Sequence, residues 1–359
     1  DSCKAALHDL EMFHQEIVEA LFNGAHGPVA KRVKNLCAQC DTFLANNRSP
    51  HRAFVYDQVV SFGELLSTSI ICAYLNHVGI AAEWVDARSC IKTDNFYRSA
   101  HLNWEQTQSA IQDQIQGNVL KVTQGFIASD MNNFTTTLGR EGSDYTAAIF
   151  AYCLGATDVT IWKDVQGVLN ADPRVFDKTQ LLEHISYQEA IELAFYGASV
   201  IHPKTLQPLQ RKEIPLYVKS FLNPKQKGTK VGKGVPMQPE IPCYIVKKGL
   251  SLLRLSTRDF SFVVEDNISD IFKLLHEHKM SVDVIQNSAI SFSVCVEDTY
   301  HKMDALLLAL RSRFDVKHTP DVSLYTIRHF EENSANTLLS THDLVLEQRT
   351  ATTLQLVLK

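Results

Sequence analysis

Segments of strand character alternate with segments of helix character along residues 54–222, which predicts an α/β domain with a mostly parallel sheet covered by helices. Between residues 223 and 242 stand Pro224, Gly228, Gly232, Gly234, Pro236, Pro239 and Pro242, the punctuation of a linker. After it the order of segments becomes β-α-β-β-α, a ferredoxin-like series. A length of 359 residues accommodates two or three domains of ordinary size.

Taken in order, residues 1–47 read as two helices broken at 23–28, where the chain runs Asn-Gly-Ala-His-Gly-Pro. A helix is expected near 64–77, a strand at 81–86 and a loop at 92–95. Residues 103–116 look helical and 119–125 extended. An Ala-rich helix at 143–155 leads to the apolar strand 158–162. Ser186 and Glu189 have capping-box spacing, Gly197 suits a helix C-cap, and together they bound a helix at 186–197, followed by a strand at 214–218. Beyond the linker the expected elements are strand 250–256, helix 266–279, strands 281–287 and 290–297, and helix 299–313. Strands at 322–329, 343–348 and 352–358 follow, with a short helix near 333–339.

A hydrophobic fraction of 45% and a charged fraction of 21% are those of a soluble globular protein. A net charge of -5 gives no reason to expect nucleic acid. No apolar run approaches the roughly 18 residues of a membrane span, so no membrane partner is expected. The amino-terminal residues are charged and amphipathic, unlike a signal peptide. Eight scattered Cys suit a reducing cytoplasm. Cys37 and Cys40 form a lone CxxC without the partners a zinc site needs, so a structural role is expected and no metal ligands are assigned. His202, before Pro203, reads as structural.

The chemistry concentrates in four runs. Residues 135–148, TTTLGREGSDYTAA, place three threonines before Gly139, Arg140, Gly142, Ser143 and Asp144 at the start of a helix. Small residues admit a ligand close to the backbone, the helix start presents N–H groups to an anion, and Arg140 offers a planar fork to a carboxylate. As an ordinary loop, the run would be capped by Ser143 or Asp144. The other runs are IWKDVQGVLNADPR at 161–174, SYQEAIELAFYGASVIHPKT at 186–205 and IPLYVKSFLNPKQKGTKV at 214–231.

In this order the four runs resemble the aspartate kinase family, of the monofunctional kind. VVSFGELLST at 59–68, AEWVDAR at 82–88 and TQGFI at 123–127 match as well, so the resemblance covers about residues 52–359. It implies an αβα sandwich, the amino-acid-kinase fold, over 1–222, followed by two ferredoxin-like βαββαβ ACT domains. The first would be 250–318; the second, 241–249 with 319–359, would lack a final helix. The implied reaction is ATP plus L-aspartate giving ADP and 4-phospho-L-aspartate, with Mg²⁺ as cofactor. An acceptor carboxylate with a pKa of about 3.9 needs no strong base, so the task is to join two anions and stabilise the transferring phosphoryl group.

The resemblance assigns roles. Arg140 would hold the α-carboxylate and act in catalysis, with Asp144 orienting the catalytic lysine or the Mg²⁺ shell. Thr135, Thr137 and Ser143 would bind substrate or phosphate oxygens, and Glu64 would meet the ammonium or organise that pocket. Read alone, Glu64 is an N-cap or first-turn carboxylate. Lys163, Asp164, Leu169, Arg174, Ser199 and Val200 fall where the family binds the nucleotide, although Arg174 alone reads as a surface salt bridge. MSVDVIQNS at 280–288 resembles an effector strand, which implies Ser281, Val282, Asp283, Asn287 and Ser288 around a feedback amino acid, lysine before threonine. A homodimer through the ACT units is expected.

The sequence departs from the family at several points. The opening K-F/Y-G-G-T/S-S run is not among these residues, and the chain as it stands is expected to be a poor kinase without it. Glu141 stands where Gly is usual, Leu169 replaces a Tyr, Ser199 replaces a Lys, and Ala289 replaces the Glu of lysine-sensitive relatives. The other reading these departures allow is a non-catalytic amino-acid sensor with a degenerate kinase core.

Overall fold

The computed structural model describes all residues except Asp1, residues 24–26, Ser199, Val235 and Phe260. The centre of the expected break at 23–28 lies outside them. The chain divides into two compact units, Asp1–Ile161 with Ile201–Tyr217, and Trp162–Val200 with Val218–Lys359.

The first unit opens with three helices, α1 (Ser2–Phe22), α2 (Gly27–Asn46) and α3 (Arg52–His77). Then come β1 (Ala82–Val85), α4 (Ala87–Cys90), α5 (Trp104–Gln114), β2 (Leu120–Thr123), β3 (Ile127–Ser129), β4 (Thr135–Thr137) and α6 (Gly142–Leu154). Val18 and Phe22 of α1, Val33 and Leu36 of α2, and Leu65, Leu66 and Ile70 of α3 share one core cluster. A second cluster joins Val85, Ile91, Ile111, Ala128, Leu138 and Ile149. β1 lies parallel to β2, and β3 lies antiparallel to β4 with Ile127 opposite Thr137. Cys37 and Cys40 are buried within α2, and burial pushes the Cys37 thiol up.

α3 departs from the sequence expectation twice. It begins at Arg52, not near 64, because the His51 ring accepts a hydrogen bond from the Phe54 amide and caps the helix there. It is also long and apolar enough to cross a membrane, a property the sequence reading did not find. Of its apolar stretch, 39% is buried. Leu65, Leu66 and Ile70 enter the core, and α3 carries the fully buried carboxylate of Asp57.

Strand β5 (Val159–Lys163) is followed by β6 (His184–Ser186), α7 (Tyr187–Tyr196), α8 (Pro203–Lys212), β7 (Leu216–Ser220) and β8 (Thr229–Gly232). They supply a four-stranded sheet of order β5-β7-β8-β6. Ser186 accepts from the Glu189 amide at 3.0 Å and Gly197 closes α7, as the sequence indicated. His202 caps α8, its Nδ1 accepting from the Lys204 amide at 3.1 Å.

The remaining elements are β9 (Cys243–Thr257), α9 (Glu265–Glu277), β10 (Ser281–Asn287), β11 (Ser291–Glu297), α10 (Met303–Arg311), β12 (Phe314–Arg328), α11 (Asn336–Leu339), β13 (Leu344–Arg349) and β14 (Thr353–Leu358). The six strands form one sheet of order β10-β11-β9-β12-β14-β13. The segments expected separately at 241–248 and 250–256 are one 15-residue strand, because Gly249, at φ +71°, lets the chain pass without leaving the sheet. β12 likewise starts at Phe314 and not at 322, with register shifts between Thr319 and Leu324. Ile271 and Leu275 of α9 and Leu306 and Leu310 of α10 pack with Leu253, Leu255, Phe292 and Val294 of the sheet.

Candidate active site

In the first unit, β4 is held by α3. Asp57 Oδ2 accepts from the Thr137 amide and the Arg98 amide, each at 2.9 Å, and Oδ1 accepts from the Thr137 hydroxyl at 3.0 Å. Gln58 donates to the Thr135 carbonyl at 2.7 Å. The Thr135 hydroxyl accepts from Arg88 at 3.3 Å, and the Thr136 hydroxyl meets that of Thr93 at 2.7 Å. Thr135 and Thr137 are the two threonines expected at substrate or phosphate oxygens. Both are buried with their hydroxyls engaged inward, so they set the position of the turn that follows. Burial raises the Asp57 carboxyl, against the lowering effect of the donors around it.

That turn is built for a close fit. Gly139 has φ +80°, and a Cβ there would stand 3.1 Å from the Arg98 carbonyl. Arg140 follows, exposed to solvent. The helix cap is neither Ser143 nor Asp144 but Glu141, left-handed at φ 53° and without a side-chain cap bond. This conformation, which costs a non-glycine residue about 1–2 kcal/mol, explains why Gly is usual at the position. Ser143 is exposed and Asp144 half-buried in the first turn of α6, where a carboxylate complements the helix dipole. Gly125 allows the approach from the other side, since a Cβ there would lie 2.8 Å from Ser143. Phe126 donates its amide to Thr146 at 3.0 Å and accepts from the Leu138 amide at 2.9 Å. Gln124 joins the Ala87 amide at 2.8 Å to the Thr68 hydroxyl at 2.8 Å. The runs at 59–68, 82–88, 123–127 and 135–148 thus converge around the start of α6.

Glu64 lies in the middle of α3, so neither an N-cap nor a first-turn role applies to it. It is half-buried, and burial raises its carboxyl. Beside the turn, the His202 imidazole is held below its ordinary pKa by burial, with Lys204 and Arg140 acting in the same direction and Glu141 opposing.

In the second unit, the Lys163 ammonium donates to the Val200 carbonyl at 2.7 Å, which brings together two residues expected at the nucleotide. Gly167, at φ +147°, admits Thr229, whose hydroxyl accepts from the Val168 amide at 2.8 Å. Leu169 bridges to Leu181, and Asp164 is exposed. Arg174 pairs with Asp172 at 2.8 Å with its side chain 83% exposed, the geometry of a surface salt bridge. Ser199 lies outside the described residues. Of the expected effector residues, Ser281, Asn287 and Ser288 are exposed and Val282 half-buried, whereas the Asp283 carboxylate is buried.

A model of the amino acid kinase family matches residues 4–220. The chain belongs to the amino acid kinase family. Its fold is the amino-acid-kinase fold with ferredoxin-like units after it. Over 246 residues this kinase-family chain is 35% identical to lysine-sensitive aspartokinase 3 of Escherichia coli, an alignment covering 68% of the chain and 55% of that protein. It spans about half the length of the curated relatives it matches. The structure of E. coli aspartokinase III in complex with lysine and aspartate superposes with a TM-score of 0.80 at 27% identity, covering 98% of this chain and 82% of that one. The same enzyme in complex with aspartate and ADP gives 0.74 at 27% identity, covering 91% and 77%.

The kinase-family site also contains residues that sequence reasoning missed. Asp57 and Gln58 hold β4 from α3, and their one visible signal is a polar pair inside the apolar run FVYDQVV. Asp57 precedes Glu64 by two helical turns, which places both on one face of α3.

Proposed function

We propose that this protein is an aspartate kinase, transferring the γ-phosphoryl group of ATP to the β-carboxylate of L-aspartate. The carrying observation is the turn between β4 and α6, where Gly139 and Arg140 stand at a helix start in a chain 35% identical to an aspartokinase. A β-carboxylate oxygen attacks Pγ, the bond from Pγ to the ADP oxygen breaks, and the products are ADP and 4-phospho-L-aspartate. The acceptor is already ionised near neutral pH, so positioning and charge neutralisation dominate. Arg140 takes the α-carboxylate with its two-pronged fork, and Glu64 takes the ammonium. Ser143 and the first turn of α6 face the anionic groups, with Asp144 in the polar shell of the magnesium that ATP carries. Such phosphate-borne Mg²⁺ needs only one or two protein carboxylates. Lys163, Asp164, Leu169, Arg174 and Val200 serve the nucleotide.

Lysine, with threonine second, is the proposed feedback effector, at Ser281, Val282, Asp283, Asn287 and Ser288. The buried, reduced cysteines Cys37, Cys40, Cys72, Cys90, Cys153, Cys243 and Cys295 suit a reducing cytoplasm. The test is acceptor-dependent ADP release by the complete gene product with Mg-ATP. Release with L-aspartate, well above that with L-glutamate or no acceptor, is expected. Equal rates under the three conditions would overturn the assignment.

A further inference from the structure

The Asp283 carboxylate is an unusual group for the buried side of a β-strand. Its side chain is 6% exposed, and one oxygen, Oδ1, lies 2.5 Å from the Lys247 ammonium. The other oxygen, Oδ2, is buried and has no hydrogen-bond partner among the described residues. A buried carboxylate oxygen with no donor is costly, because its lost hydration is left uncompensated. The backbone explains how it arises. The pairing of β10 with β11 shifts register between Val282 and Val284, so Asp283 is the irregular residue of the strand. Lys247 comes from β9, which is separated from β10 by β11, and it reaches across that strand to make the contact.

Lys247 has a second neighbour. A Cβ built on Gly197 would lie 2.9 Å from Lys247 Cε and 3.6 Å from its Cγ, so the aliphatic stem lies across the end of α7. Gly197 sits at φ +118° and closes that helix. Three residues later Val200 offers its carbonyl to Lys163. One side chain therefore touches both the carboxylate proposed for the effector and the segment leading to a residue proposed for the nucleotide.

We propose that the Lys247 ammonium is a built-in occupant of the amine subsite at Asp283, which a free amino acid must displace, and that this displacement releases the Lys247 stem from Gly197. The inference rests on the reading of Asp283 as the group that receives the effector's amine. A Lys ammonium and an amino-acid ammonium are chemically alike, each a compact cation with three donors. The tethered one competes at high effective concentration. The effector's apparent affinity is reduced by the fraction of molecules in which Lys247 holds the site. The unpartnered Oδ2 then gains a donor when an amine with free geometry replaces the strand-bound one.

Calorimetry of the complete protein with L-lysine tests this, using Lys247→Met and Lys247→Gln. Lys247→Gln keeps a donor for Asp283 and guards against a variant that fails to fold. Both are expected to bind lysine about tenfold more tightly than the natural protein, and Asp283→Asn is expected to lose binding. ADP affinity, measured with and without lysine, should respond to lysine in the natural protein and much less in Lys247→Gln. Equal or weaker lysine binding in the folded Lys247 variants would overturn the proposal, as would a lysine-bound structure in which Lys247 still pairs with Asp283. An absence of lysine heat in every variant would remove the subsite itself. These readouts need no turnover, so they fail separately from the aspartate kinase assignment.

Discussion

At Thr137 the amide and the hydroxyl both turn to Asp57, and this fixes what lies next in the chain. Leu138 is buried and Gly139 turns, so Arg140 is delivered to solvent at the start of α6. Replacing Asp57 with Ala leaves the Thr137 amide and hydroxyl buried without their acceptor and removes the acceptor of the Arg98 amide. The expected cost is about 3 kcal/mol in chemical denaturation, and Asp57→Asn, which retains one acceptor, should cost clearly less. Arg140 itself is exposed, so Arg140→Ala should leave stability unchanged within about 0.5 kcal/mol. Its effect belongs in kinetics: kcat/KM for aspartate should fall roughly a hundredfold, about 3 kcal/mol. Arg140→Lys should recover little, because a point charge does not reproduce the fork. Unchanged aspartate kinetics in both variants would make Arg140 a surface residue only.

Between elements, a buried polar join in the second unit links α7 to the end of β12. Arg328 donates to Glu189 at 2.7 Å and 3.2 Å and to the Thr353 hydroxyl at 2.7 Å, and His329 Nε2 lies 3.0 Å from Glu189. Glu189 and Arg328 are both buried. Glu189→Ala strands the guanidinium, with an expected loss of about 3–5 kcal/mol, whereas a paired Glu189→Gln, Arg328→Met replacement should cost less than Glu189→Ala alone. Burial pushes the Glu189 carboxyl up, but the hydrogen bonds from Arg328 and His329 outweigh it and hold the carboxyl below its ordinary value. Its stabilising contribution is therefore present above the unfolded carboxylate pKa of about 4.3 and is lost as pH falls through the folded value. Acid unfolding of Glu189→Gln should be less steep below about pH 4.5 than that of the natural protein.

The same scale shows what the sequence could disclose. α7 was legible because Ser186 and Gly197 act on residues within four positions of them, and β10 because its pattern is local. The turn at 139–144 was legible through its glycines and arginine. Its supports were not, since Asp57 reaches Thr137 across 80 positions and Gln58 reaches Thr135 across 77. The join of 241–248 to 250–256 was hidden for the opposite reason, because a local signal, Gly249, suggested a break that the sheet absorbs.

At the scale of the whole molecule, assembly through the six-stranded sheet is part of the proposed regulation. A C2 homodimer through the β9–β14 sheet or its helices is the expected state, the commonest closed symmetry for such chains. Sedimentation of the complete protein should give twice the chain mass, and a monomer at micromolar concentration would remove that expectation. The central claim is chemical, and trapping the product tests it most directly. With Mg-ATP, L-aspartate and hydroxylamine, the complete gene product should yield aspartyl β-hydroxamate in proportion to ADP formed, with little or none from L-glutamate. ADP formation without any aspartyl hydroxamate, or equal trapping from both acceptors, would contradict it.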